Sequence, residues 1–82
     1  HMNYEVHHSG NSLNNLANLH VCMAIPNTTW FEVLLPDGAH RYGLETEFRP
    51  DANGMLAAPE GPGLGAKIDF ALIKAKTEAV LE

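Results

Sequence analysis

Two hydrophobic patterns of different period follow one another in this chain, and their order limits the fold more than any other feature. Leu13, Leu16, Ala17, His20 and Ala24 recur at helical spacing, and Leu19 and Met23 widen the stripe. Ser12 in front of them has the chemistry of an N-cap. Pro26 ends the pattern, because it pushes Ile25 out of the α region. After the turn residues Asn27-Thr28-Thr29 comes Trp30-Phe31-Glu32-Val33-Leu34-Leu35, aromatic and β-branched, bounded by Pro36-Asp37-Gly38. Ahead of the helix, Tyr4-Glu5-Val6-His7 carries β-favouring residues at 4 and 6. The order is strand, helix, strand, which favours parallel strands joined by a crossover helix.

The remainder is irregular. Residues 39–44 read as a loop in which His40, Arg41 and Tyr42 cluster. Thr46-Glu47-Phe48 and Met55-Leu56-Ala57 flank Asp51-Ala52-Asn53-Gly54, the signature of a β-hairpin. Pro59-Glu60-Gly61-Pro62-Gly63-Leu64-Gly65 is too rich in Gly and Pro for a regular element. Asp69 has the chemistry to cap a last helix from Phe70 to about Leu81, with Phe70, Ile73, Val80 and Leu81 on its apolar face.

Composition excludes several classes of partner. The net charge is −5, and Arg41, Arg49, Lys67, Lys74 and Lys76 are scattered, so no basic stripe exists for nucleic acid. No apolar run approaches the roughly 20 residues of a membrane span. The single cysteine, Cys22, has no internal partner, which points to the reducing cytosol. His1-Met2 reads as a cloning remnant and is left out of functional reasoning.

Glu32 stands out because it is the only charge in its apolar run. In a parallel sheet covered on both faces it risks burial, which favours a neutral carboxyl unless a partner is found. Alternation places Trp30, Glu32 and Leu34 on one face and Phe31, Val33 and Leu35 on the other. The alternative is a solvated glutamate on an edge strand. His7 and His8 sit where the first strand gives way to a loop, where barrel enzymes hold groups that move protons; the alternative is a polar loop pair without a role. His20, on the helix's apolar stripe, reads as a core or subunit-facing histidine with one hydrogen bond. His40 and Arg41 could approach an anionic substrate, or simply be solvated. The histidines lack zinc-ligand spacing, and the Gly run lacks phosphate-loop order.

The series His7-His8-Ser9-Gly10-Asn11-Ser12, Leu19-His20-Val21, Ala24-Ile25-Pro26-Asn27, Trp30-Phe31-Glu32-Val33, Asp51-Ala52-Asn53-Gly54, Ala58-Pro59 and Gly61-Pro62-Gly63-Leu64-Gly65 resembles the C-terminal part of the mandelate racemase and muconate lactonizing branch of the enolase superfamily. Each piece alone is weak, and the ordered combination is specific. The resemblance implies an α/β fold: the last strand-helix-strand of a (β/α)₇β TIM-like barrel over residues 3–35, then a hairpin, the Gly/Pro segment and a terminal helix over 36–82 that reach a capping domain.

It further implies a Mg²⁺-dependent parent enzyme that abstracts the proton α to a carboxylate. An acid-sugar dehydratase is the first reading; a racemase or epimerase, or a non-catalytic self-associating module, is the alternative. His7 matches the seventh-strand histidine and Glu32 the eighth-strand glutamate, 25 positions apart as in sugar-acid dehydratases. A one-residue gap would make His8 the catalytic member instead. The family's glutamate donates a hydrogen bond to the enediolate, a role that a carboxyl kept protonated by burial would suit. The metal carboxylates, the sixth-strand aspartate and the lysine base have no counterpart here. The expectation is therefore a C-terminal fragment, inactive and metal-free alone, with a small-molecule carboxylate as the parent's substrate. Apolar faces left without neighbours imply a homo-oligomer.

Overall fold

The computed structural model describes residues 2–81, which form three helices, two isolated β-bridges and long irregular segments. Helix α1 spans Ser12–Ala24, α2 Asp37–His40 and α3 Phe70–Lys76.

Helix α1 is the element around which the rest collects. Its cap lies one residue earlier than expected: the Asn11 side chain accepts from the backbone N–H of Leu13 and Asn14. Ser12 is the first helical residue and is fully buried; its hydroxyl donates to Glu47 and its N–H to the Tyr42 carbonyl. Burial of that hydroxyl beside an acceptor explains why Ser12 does not cap. Ile25 is extended at the far end, as the proline after it requires.

The core is small. Leu16 and Leu19 from α1 meet Leu44, and Leu13, Phe31, Phe48 and Leu56 pack around them. Phe31 and Phe48 contact edge to face with ring centres 6.3 Å apart.

The two expected strands are reduced to one contact. Val6 and Phe31 form a parallel bridge, so the predicted direction holds, but no ladder extends from it. Side chains take over the pairing on either side: the Glu5 carboxylate accepts from the N–H of Trp30 at 2.8 Å and of Thr29 at 3.4 Å. Asn27 Nδ2 donates to the Met2 carbonyl, and Tyr4 N–H to the Asn27 carbonyl. A two-stranded parallel pair with both edges open has too few backbone partners to propagate. Alternation survives at one step only, with Phe31 turned into the core and Trp30 75% exposed.

Three further expectations are corrected. Residues 37–40 are a helical turn rather than loop, tied by Asp37 to Arg41 at 2.6 Å and to Arg49 at 2.9 Å. Arg41 is consequently held, not solvated, with its side chain 9% exposed. The hairpin is only a turn: Asp51 exchanges hydrogen bonds with Met55 and takes Asn53 N–H on its carboxylate, but no ladder follows. Residues 43–45 instead pair antiparallel with 67–69 through the Leu44–Ile68 bridge. Finally, α3 is capped by Asp69 as expected but stops at Lys76, where Thr77 turns extended and its hydroxyl bonds back to the Ile73 carbonyl. Phe70, Ile73, Val80 and Leu81 are exposed, so no packing supports a longer helix.

The Gly/Pro segment reverses the chain before α3. Gly65 has φ +71°, and a Cβ there would lie 2.9 Å from Pro59 Cβ and 3.0 Å from the Glu60 carbonyl oxygen. Only glycine fits both the conformation and the space.

Candidate active site

The parallel contact that joins Val6 to Phe31 also sets the residues just beyond each of them side by side. His7 follows Val6, Glu32 follows Phe31, and their side chains meet: His7 Nδ1 lies 3.0 Å from Glu32 Oε2 and 3.3 Å from Oε1. The His8 backbone N–H also donates to Glu32 Oε2, at 3.3 Å.

The carboxylate is therefore an acceptor. That His8 N–H, together with the charge and hydrogen bond of His7, holds Glu32 below the usual carboxylate range, against a smaller opposing effect of burial. Its side chain is 37% exposed. A glutamate kept neutral by an apolar strand, expected from the sequence, does not occur. The strand that would have enclosed it never forms, and two donors stabilise its charge. With an ionised carboxylate opposite, Nδ1 of His7 carries the proton and donates it, leaving Nε2 directed away from the pair. The His7 side chain is 87% exposed.

The neighbouring histidine is placed differently. His8 is buried against Phe31, with ring centres 5.1 Å apart, and neither of its ring nitrogens has a partner among the described residues. Alternation along the chain turns successive side chains to opposite sides, so His7 faces Glu32 and His8 faces the core. His20 and His40 lie apart from this pair. His20 Nε2–H donates to the Leu64 carbonyl at 3.0 Å, the single bond expected of it. His40 contributes only its carbonyl, to Asn15 Nδ2.

Residues 1–72 match a family model described as enolase C-terminal domain-like. The chain belongs to this family. No curated protein and no solved structure matches it. Members of the enolase superfamily are enzymes that generally use Mg²⁺ and act on small carboxylates, and their catalytic domain is α/β. In this enolase-type chain, no group of three or more His, Cys, Asp or Glu among the described residues is gathered so as to hold a metal ion. Four carboxylates are committed elsewhere: Glu5 to backbone N–H groups, Glu47 to Ser12, Asp37 to two arginines and Glu32 to His7. The described residues, on their own, do not gather a donor set that fits Mg²⁺. No helix of the described residues is long and apolar enough to cross a membrane.

Sequence reasoning missed the acceptor roles of Glu5 and Glu47. Glu5 had a visible signal, an acid in the middle of a strand-like tetrapeptide. Glu47 had none, since its partner Ser12 lies 35 positions away.

Proposed function

We propose that this chain supplies the histidine–glutamate side of the active site of a Mg²⁺-dependent parent enzyme that removes the proton α to a carboxylate, and that the parent is an acid-sugar dehydratase. The observation that carries this reading is the contact of His7 with Glu32, from two segments 25 positions apart that run side by side at the parallel bridge. Residues 3–82 are, on this reading, the C-terminal part of the parent, which contributes the metal and its ligands.

The chemistry follows from which nitrogen is free. Glu32 fixes the ring by accepting from Nδ1, so proton exchange runs through Nε2. In the protonated ring, Nε2–H gives its proton to the departing β-hydroxyl, which leaves as water with the C–O bonding electrons while the electron pair left at the α-carbon by removal of its proton forms the Cα–Cβ double bond. The ring returns to the neutral Nδ1–H form, still held by Glu32. The same carboxylate stabilises the imidazolium before transfer, as the acid of a catalytic triad does. Glu32 is thus a positioning residue for His7, and His8 is a packing residue.

The test is turnover of sugar acids by the parent polypeptide. His7→Asn lowers kcat by about 10²–10⁴-fold, the range for loss of a general acid. Glu32→Gln lowers it less, and His8→Asn leaves it within a few-fold if the protein folds. Activity lost with His8→Asn and kept with His7→Asn would overturn the assignment. The 82-residue chain alone, given sugar acids and Mg²⁺, yields no product; dehydration by it would refute the need for a parent.

A further inference from the structure

Independently of the His7–Glu32 pair, the turn from Asp51 to Met55 carries a chemistry of its own. Of the seven asparagines in the chain, Asn53 alone is followed by glycine. The residue after an asparagine decides how readily its side-chain amide is attacked, because the backbone nitrogen of that residue is the nearest nucleophile. Gly54 has no Cβ to shield its nitrogen. The space around it is open, and residues 51–55 are exposed, so water reaches the amide. Asparagines elsewhere are tied as well as shielded. Asn11 caps α1, and the N–H that follows it donates to the Tyr42 carbonyl. Asn15 is 4% exposed, and Asn27 Nδ2 donates to the Met2 carbonyl.

One residue closes the turn. The Asp51 carboxylate accepts the N–H groups of Asn53 and Met55 at 2.8 and 2.9 Å, and its backbone carbonyl accepts the Gly54 N–H at 3.0 Å. While the turn is closed, the Gly54 nitrogen is committed to that carbonyl and cannot attack. It is freed only when Asp51 lets go, and an exposed turn with no ladder behind it opens at little cost.

We propose that Asn53 is a site of spontaneous deamidation and that the Asp51 clasp sets its rate. In the opened turn the Gly54 nitrogen gives its proton to a solvent base and bonds to Asn53 Cγ. The Cγ–Nδ2 bond breaks, and Nδ2 leaves as ammonia, taking a proton back from solvent. Water then opens the succinimide. Cleavage between nitrogen and Cγ gives aspartate; cleavage between nitrogen and the α-carbonyl carbon gives isoaspartate, whose main chain runs through Cβ and Cγ. One water is consumed and one ammonia released. Either product sets a second carboxylate beside Asp51, whose own charge the Asn53 amide groups had favoured, so the clasp no longer closes as before.

The experiment is incubation of the 82-residue chain at mildly alkaline pH, followed by peptide mapping with mass spectrometry that separates aspartyl from isoaspartyl products. Asn53 is the first asparagine to convert, both products form there, and Asn53→Ser removes the leading acidic species. Asp51→Ala, with unchanged helix content by circular dichroism, converts Asn53 at least about tenfold faster, the weight of one charge-assisted hydrogen bond. Asp51→Asn, which keeps an acceptor without the charge, falls between the two. Conversion led by another asparagine overturns the site. So does an Asn53 that keeps its amide through an incubation in which the urea-unfolded chain loses it. An Asn53 rate that is the same in the native chain and in both Asp51 variants overturns the clasp.

Discussion

His7 and Glu32 stand 25 positions apart and share a hydrogen bond of 3.0 Å, made because the parallel bridge aligns the residues immediately before them. The carboxylate is ionised and accepts; the imidazole donates from Nδ1 and is open to solvent at Nε2.

The pH dependence of stability follows from this with a definite sign. Because the folded chain holds Glu32 below its ordinary value, the unfolded chain binds more protons as pH falls, and stability falls with it. The Glu32 contribution is present in full above the unfolded value, near 4.5, and is lost as pH drops through the lower folded value. Urea midpoints of the native chain and Glu32→Gln differ at neutral pH and converge on acidification below about pH 4. A gap that stays constant with pH would contradict the assigned charge state. Asp51, lowered by the N–H groups of Met55 and Asn53, adds a second contribution of the same sign.

The start of α1 offers two separable losses. Asn11→Ala removes the cap and costs about 1 kcal/mol. Ser12→Ala removes the buried donor to Glu47 and costs about 1–2 kcal/mol, since an acceptor is left without its partner. A double-mutant cycle of Ser12→Ala with Glu47→Gln gives a coupling energy of at least about 0.5 kcal/mol. Additive effects would show that the contact contributes nothing.

Core and surface substitutions should separate sharply. Leu16 is 1% exposed at the centre of the cluster, and Leu16→Ala costs about 2–5 kcal/mol. For a chain with so small a core that abolishes the cooperative transition in thermal unfolding. Phe70 is 70% exposed, and Phe70→Ala stays within about 0.5 kcal/mol.

Two glycines with similar backbone angles distinguish strain from crowding. Gly63 has φ +63° with open space around its would-be Cβ, so Gly63→Ala costs about 1–2 kcal/mol from conformation alone. Gly65 has φ +71° and a neighbour at 2.9 Å, so Gly65→Ala costs measurably more. Equal midpoints in chemical denaturation would rule out the close approach of Pro59.

Some of this was legible in the residues. The spacing of Leu13, Leu16, Ala17, His20 and Ala24 gave α1, Pro26 gave its end, and Asp69 gave the start of α3. These are local signals, decided within a turn of helix. Strand extent was not legible, because it depends on partners: residues 30–35 have strong β chemistry but only Phe31 finds a bridge. That failure carried over to the site. A formed strand would have enclosed Glu32 and kept it neutral; the open segment leaves it ionised. The pairing of Leu44 with Ile68 and of Ser12 with Glu47 joins positions far apart in the chain, and nothing local announces either. The hairpin failed for a related reason, since Asp51 satisfies the turn by itself and residues 46–48 are held towards α1 instead.

The most direct test of the His7–Glu32 pairing is the tautomer of His7, read from nitrogen chemical shifts and two-bond couplings of the labelled chain. A neutral imidazole free in water favours the proton on Nε2; one held by a carboxylate at Nδ1 keeps it there. The expected result is a predominantly Nδ1–H ring in the native chain that reverts towards Nε2–H in Glu32→Gln. A His7 whose tautomer is the same in both proteins would contradict the pairing, and with it the route of the proton through Nε2.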